Sequence, residues 1–191
     1  NTATSTPSAT STPVSTDILY LSSTTNGIAG SVAFADEDIL SYNRATSTWS
    51  MYFDGSDVGI TSDIDAFFRM SDGTILLSVD TDGTAGTFGT VDDSDIIRFT
   101  PTSLGTNTTG SFTWYFDGSD VSLTTTAEDI DAIGFAPDGK LVISTLGSFG
   151  VTGVSGNDED LLVFTATALG STTTGTWALY FDGSDVGLNE A

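Results

Sequence analysis

A nine-residue string that occurs three times constrains this chain more than any other feature. Tyr52-Phe53-Asp54-Gly55-Ser56-Asp57-Val58-Gly59-Ile60 returns, with small changes, over residues 115–123 and 180–188. The spacing from Asp54 to Asp117 is 63 and from Asp117 to Asp182 is 65. Two further motifs keep step with it. Asp63-Ile64-Asp65-Ala66 recurs as Asp129-Ile130-Asp131-Ala132, and each is followed by an Asp-Gly turn, Asp72-Gly73 or Asp138-Gly139, and an apolar run. An acidic motif opening on apolar residues occurs three times, as Asp36-Glu37-Asp38-Ile39-Leu40, Asp93-Ser94-Asp95-Ile96-Ile97 and Asp158-Glu159-Asp160-Leu161-Leu162. Motifs in fixed order at a fixed period mark supersecondary units that bury their cores by stacking on one another. The units run over about 17–60, 61–123 and 124–188, in one repeat domain spanning 17–191.

Each unit reads as four short strands, which in the last unit fall near 131–136, 141–145, 161–166 and 176–182. The fourth strand alternates large apolar residues with others: Trp49, Met51 and Phe53, then Phe112, Trp114 and Phe116, then Trp177, Leu179 and Phe181. Period-two alternation places each set on one sheet face. The joining stretches are rich in Gly, Asp, Asn, Ser and Thr, the residues of turns. No window has helical periodicity, so the expected fold is all-β. The first unit lacks its first strand, which leaves eleven core strands where three complete units would have twelve. An open sheet edge of that kind invites pairing with another chain.

Four strands per unit, an Asp-Gly hairpin between the first two and an aromatic strand ending in Asp-Gly resemble β-propeller blades. A β-trefoil or β-prism would also accommodate a three-fold repeat. The motifs at Phe116 to Leu123 and Glu128 to Ala132, with their counterparts, further resemble those of uncharacterised bacterial secreted repeat proteins carrying FDGSDVGL and EDIDA in series. The resemblance covers about residues 17–188. It implies secretion and a repeat fold, and it brings no activity with it.

Charge and composition narrow the function. The 191 residues include 26 Asp and Glu against 4 Lys and Arg, a net charge of -22, with no His and no Cys. Such a surface repels nucleic-acid phosphates and anionic membranes. Without His or Cys there is no Ser-His-Asp triad, thiolate nucleophile or imidazole- or sulfur-based metal site. No stretch is long and apolar enough to span a bilayer. Carboxylate pairs serve glycoside hydrolysis, but here they recur with the repeat, which points to a structural role and a chain that is not an enzyme. Asp outnumbers Glu by 22 to 4, and Asp suits both turns and hard-cation coordination. Two candidate calcium sets follow: Asp54, Asp57, Asp63 and Asp65, and Asp117, Asp120, Asp129 and Asp131. Asp182 and Asp185 form half of a third. The competing reading makes Asp54, Asp117 and Asp182 turn residues that bond their own backbone. The acidic pairs before the third strand read as solubilising charge or further cation sites. The four cations read as partners for nearby carboxylates.

Residues 1–16 are Ser-, Thr-, Ala- and Pro-rich and carry no charged side chain. This segment reads as a linker, an O-glycosylated stalk or an extended tail that docks strand-like through Thr10, Thr12, Pro13 and Val14. Starting at Asn1 with no basic or apolar targeting run, the chain reads as one whose targeting segment is removed or not included. Asn107-Thr108-Thr109 is an N-glycosylation triplet. Tyr52, Tyr115 and Tyr180 could stack on sugars or pack on the next sheet, whereas Trp49, Trp114 and Trp177 read as core. Together these features predict an extracellular or cell-surface structural subunit that assembles with itself. The alternative is a module that binds surface glycans.

Overall fold

A computed structural model describes residues 17–188. The calls on Thr10, Thr12, Pro13 and Val14 lie outside the described residues. The fold is all-β and antiparallel, with single-turn 3₁₀ segments and no α-helix among the described residues. Unit 1 contains β1 (Ile18–Leu21), β2 (Gly27–Ala29), β3 (Val32–Phe34), β4 (Ile39–Asn43) and β5 (Thr48–Phe53). Unit 2 contains β6 (Ala66–Arg69), β7 (Ile75–Ser78), β8 (Gly83–Thr84), β9 (Thr90–Val91), β10 (Ile96–Ser103) and β11 (Thr109–Phe116). Unit 3 contains β12 (Ala132–Phe135), β13 (Leu141–Ser144), β14 (Phe149–Val151), β15 (Val154–Gly156), β16 (Leu161–Ala168) and β17 (Thr174–Phe181).

Units 2 and 3 each form a four-stranded meander, β6-β7-β10-β11 and β12-β13-β16-β17, while unit 1 is the three-stranded sheet β1-β4-β5. Among the described residues, β1, β4 and β5 of unit 1 correspond to the second, third and fourth sheet strands of the other units. The sequence does not announce the small hairpins β2-β3, β8-β9 and β14-β15, inserted between β1 and β4, between β7 and β10, and between β13 and β16. The sheets remain separate and close into no barrel among the described residues. Among the described residues no helix is long and apolar enough to cross a membrane.

The apolar core consists of the two junctions between units. Ile39, Phe53 and Ile60 of unit 1 pack on Ile64, Ile75, Leu77, Ile97 and Phe99 of unit 2. Ile96, Phe116 and Leu123 of unit 2 pack on Ile130, Leu141, Ile143, Leu162 and Phe164 of unit 3. Each unit thus has a front face toward the next unit and a back face toward the preceding one. Phe53 and Phe99 meet edge to face with ring centroids 5.1 Å apart, and Phe116 and Phe164 repeat the contact at 5.3 Å.

One expectation fails here. Strict alternation would put Phe112, Trp114 and Phe116 on a single face. Instead Ile97 pairs with Trp114 and Ile96 with Phe116, so Tyr115 is an extra residue in a β-bulge. The bulge turns Phe116 to the front face, while Phe112 and Trp114 stay on the back. The same shift separates Phe53 from Met51 and Phe181 from Leu179. One strand thereby feeds both junctions. The bulge also carries Tyr52 and Tyr115 to the junctions, where they pack on the clusters.

The acidic motif is internal scaffolding at its second Asp. Asp38, Asp95 and Asp160 are buried. One oxygen of each accepts a backbone N–H from its own turn, from Ala35 (2.8 Å), Asp92 (2.9 Å) and Asn157 (3.0 Å). The other oxygen accepts the N–H of Gly55 (2.9 Å), Gly118 (3.1 Å) and Gly183 (3.0 Å). Solubilising charge is therefore the wrong reading for these three. The glycine is required because a Cβ at Gly55, Gly118 or Gly183 would lie 2.2–2.4 Å from a backbone carbonyl oxygen of the acidic turn.

Candidate functional site

The thrice-repeated Asp-Gly-Ser-Asp turn sits at the seam between units. Within the turn, Asp54 Oδ1 accepts from Ser56 Oγ (2.8 Å) and from the Asp57 N–H (3.3 Å), and Asp117 and Asp182 do the same with their own Ser and Asp. These are turn bonds, as the turn-residue reading has it. The second Asp reaches across the junction. Asp57 Oδ2 accepts the N–H of Thr108 in unit 2 (2.8 Å), and the Asp54 N–H donates to Thr108 Oγ1 (2.9 Å). Asp120 and Asp117 hold Thr173 of unit 3 in the same way, at 2.8 and 2.9 Å.

Thr108 and Thr173 are buried and end two matching fingers, Leu104-Gly105-Thr106-Asn107-Thr108 and Leu169-Gly170-Ser171-Thr172-Thr173. Gly105 and Gly170 adopt φ of +100° and +113°, and their N–H groups donate to Tyr52 O and Tyr115 O, each at 2.9 Å. The recurrence of Leu-Gly-x-x-Thr-Thr-Gly was readable in the sequence and marks these fingers. Unit 1 has no such finger: β4 and β5 are joined by the short turn 44–47. Asp182 and Asp185 therefore form the same clamp with no threonine in it among the described residues.

The predicted calcium sets do not gather as four-carboxylate sites. Among the described residues, the one group of three carboxylates with ligand atoms within 4.8 Å of one another is Asp82, Asp92 and Asp93. Of these only Asp93 stood in a motif weighed for cations. Burial, followed by the charges of Asp80 and Asp36, pushes the Asp63 carboxyl up to about 6. Asp65 and Asp129 come from equivalent positions of units 2 and 3, and their carboxyls meet. Burial, then the charge of Asp65, raises Asp129 far above the ordinary carboxylate range. Asp63 Oδ1, Asp65 Oδ1 and Asp129 Oδ1 are buried and receive no hydrogen-bond donor. Asp131 Oδ1 accepts from Ser144 Oγ. Burial, then Asp92 and Asp82, raises Asp93 to about 7.

Glu128 shows the opposite balance. Burial raises it, but N–H donors from Thr124, Gly150 and Thr125 and the Thr125 hydroxyl outweigh that and hold it low.

Arg44 pairs with Asp17 (2.6 Å) and Lys140 with Asp138 (2.5 Å), both in the open. The other two cations use rings instead. Arg69 lies 3.8 Å from the Tyr20 ring centre and donates to Tyr52 Oη, and Arg98 lies 5.1 Å from the Tyr115 ring centre. Asn107 is exposed on its finger. Trp177 is buried, and Trp49 and Trp114 are half-buried. A cleft opens beside each occupied clamp. One of about 320 Å³ is lined by Asp57, Phe88, Thr109 and Phe112, and its counterpart of about 240 Å³ by Asp120, Thr174, Thr176 and Trp177.

This fold and these seams define an all-β stacked-repeat protein. No protein-family model, no curated protein and no solved structure matches the chain.

Proposed function

We propose that this chain is a structural, self-assembling subunit of an extracellular filament or cell surface, built from β-propeller-like units and stacking through its two terminal faces. One observation carries the reading. Phe116 and Leu123 are 0% exposed in the junction of units 2 and 3, whereas their counterparts Phe181 and Leu188 on the front of unit 3 are 37% and 53% exposed. On the back of unit 1, Leu19 is 49% exposed where its counterpart Ile75 is 0%. These are the two halves of one repeated interface, and a head-to-tail contact between copies joins them. A heterologous contact of this kind propagates into a fibre unless it closes into a ring.

Calcium fits the same picture. Asp82, Asp92 and Asp93 supply hard oxygen donors in one place, and a divalent ion there would offset the burial and the neighbouring Asp92 and Asp82 charges that raise Asp93. It would also offset part of a net charge of -22 that opposes contact between copies. Electron microscopy and sedimentation of the chain at neutral pH in millimolar calcium test the proposal. The expected result is ordered polymers that Phe181→Asp abolishes. A wild-type chain that stays a compact monomer across all concentrations refutes it.

A second reading rests on the paired clefts. Each sets an aromatic ring beside threonine hydroxyls and a carboxylate, which is the chemistry of a sugar site. Saturable glycan binding by a monomer, lost in Trp177→Ala, would favour that module over the filament.

A further inference from the structure

The molecule contains one clamp in three copies, two filled and, among the described residues, one empty. In each filled copy a threonine from the following unit donates its N–H to the second Asp of the turn. Its hydroxyl oxygen accepts the N–H of the first Asp. The empty copy at Asp182 and Asp185 keeps the same backbone, with Gly183 at φ -66°, ψ -35° and Gly187 at φ +86°, against Gly55 at -69°, -34° and Gly59 at +78°. Its internal bonds, Asp182 Oδ1 to Ser184 Oγ and to the Asp185 N–H, match the filled copies at 2.7 and 3.2 Å. The turn is therefore built before its threonine arrives. A neighbouring copy cannot fill it with a finger. Both of its fingers are engaged internally, and its unit 1, the unit that would face this clamp in head-to-tail contact, has none.

We infer that the Asp182–Asp185 turn is a threonine clamp that takes the N-terminal segment of a neighbouring copy, at Thr10 or Thr12. The inference rests on the self-assembly reading above. The chemistry of residues 1–16 favours this occupant. The segment holds six threonines and joins the chain directly ahead of β1, at the unit that lacks a finger. It carries no acidic side chain, so it can approach a surface that repels the rest of this acidic chain. Extended, its 16 residues reach on the order of 50 Å, enough to cross a seam between copies. Its single bulky apolar residue, Val14, lies two positions from Thr12 and can reach the exposed Phe181 and Leu188 while Thr12 bonds the turn.

The test uses the full chain and two variants, Asp185→Asn and the double change Thr10→Val with Thr12→Val, with the concentration needed for assembly read by sedimentation. Asp185 is exposed and holds no structural bond through its carboxylate, so its variant folds, which circular dichroism checks. Asp185→Asn, which weakens a hydrogen bond to a charged group, is expected to raise that concentration about tenfold, and the threonine change, which removes the hydroxyl acceptor of the Asp182 N–H, about fivefold. If Phe181→Asp blocks assembly while both clamp variants assemble like wild type, stacking stands and the threonine clamp is wrong. If the wild type never assembles, the stacking reading fails. A synthetic peptide of residues 1–16 titrated into the isotope-labelled chain then decides the clamp separately. Shifts of the Asp182 and Asp185 amides that the Val-substituted peptide does not cause support it, and unmoved amides overturn it.

Discussion

Phe116 and Phe181 occupy the same position of the same motif, yet one is sealed in a junction and the other faces solvent. Their strands, bulges and following turns are alike. What differs is the cover: unit 3 packs on Phe116, and none of the described residues seals Phe181. Burial in this fold is thus a property of a junction rather than of a unit, as expected where each repeat contacts only its neighbours. A unit's own sheet is one layer thick and cannot seal its large residues alone. The front of unit 3 and the back of unit 1 show what every junction would expose if it opened.

The largest test of that comparison removes the two rings in turn. Phe116→Ala should cost about 3–5 kcal/mol, because the ring is fully enclosed and leaves a cavity. Phe181→Ala should cost less than about 1 kcal/mol in dilute solution. Denaturant melts of both variants measure the gap. Equal losses would mean that unit 3 buries Phe181 by some other route, and the contrast between filled and unfilled junctions would collapse.

Next in size is the response to cations and pH, which act at the buried carboxylates of units 2 and 3. At a hundredfold excess over its dissociation constant, calcium should stabilise the chain by about 2.7 kcal/mol. A melting temperature that chelator and calcium leave unmoved removes the cation. In chelator, the raised groups set the pH trend. A carboxyl whose folded pKa lies above its unfolded value, about 3.9, holds its proton more tightly in the folded chain. Its contribution is full below the unfolded pKa and lost as pH climbs through the folded one. Asp63, at about 6, and the Asp65–Asp129 pair, both raised by burial and Asp129 further by the charge of Asp65, place that loss from about pH 4 upward through neutrality. Melting should therefore fall by about 2–4 °C from pH 5 to pH 8. Asp129→Asn should flatten the slope by removing one member of the pair. A slope of the opposite sign would mean that the lowered groups, Asp92 and Glu128, dominate.

A smaller effect separates the filled clamp from the empty one. Asp120→Ala leaves the buried Thr173 N–H without its acceptor and should cost about 1–2 kcal/mol. Asp185→Ala should change the stability of the monomer by less than about 0.5 kcal/mol. If the two cost the same, the turn rather than the seam is what these carboxylates stabilise.

The sequence made the units and most sheet strands legible because both rest on local signals, turn residues and apolar runs, repeated in register. It hid the bulge at Tyr115, since one extra residue changes which face Phe116 takes without disturbing the visible alternation. The small hairpins are only two or three residues per strand, too short to show a period. The acidic turns were legible as turns and illegible as seams. Asp57 finds Thr108 only after the chain has folded through 51 residues, and spacing along the chain does not report distance across a junction. The same reason explains the cation sets. Asp54 and Asp63 are near in sequence, but the carboxylates that gather are Asp82, Asp92 and Asp93, brought together around the β8-β9 hairpin.

The smallest expected effect concerns the residue that closes each turn. Gly59, Ser122 and Gly187 hold equivalent places at φ of +78°, +78° and +86°. A left-handed conformation costs an L-residue about 1 kcal/mol, and glycine adopts it freely. The strain has a geometric trace: the Ser122 N–H reaches Ser119 O at 3.4 Å, while Gly59 and Gly187 close the same bond at 3.1 Å. Ser122→Gly should therefore stabilise the chain. Glycine's greater freedom in the unfolded state offsets part of the gain, leaving about 0.5 kcal/mol, or about 1–2 °C in melting temperature. The change falls in the turn whose neighbours, Asp117 and Asp120, hold Thr173. A fall in stability would mean that the serine side chain supports the seam between units 2 and 3, and that this junction differs from the one between units 1 and 2 in more than sequence.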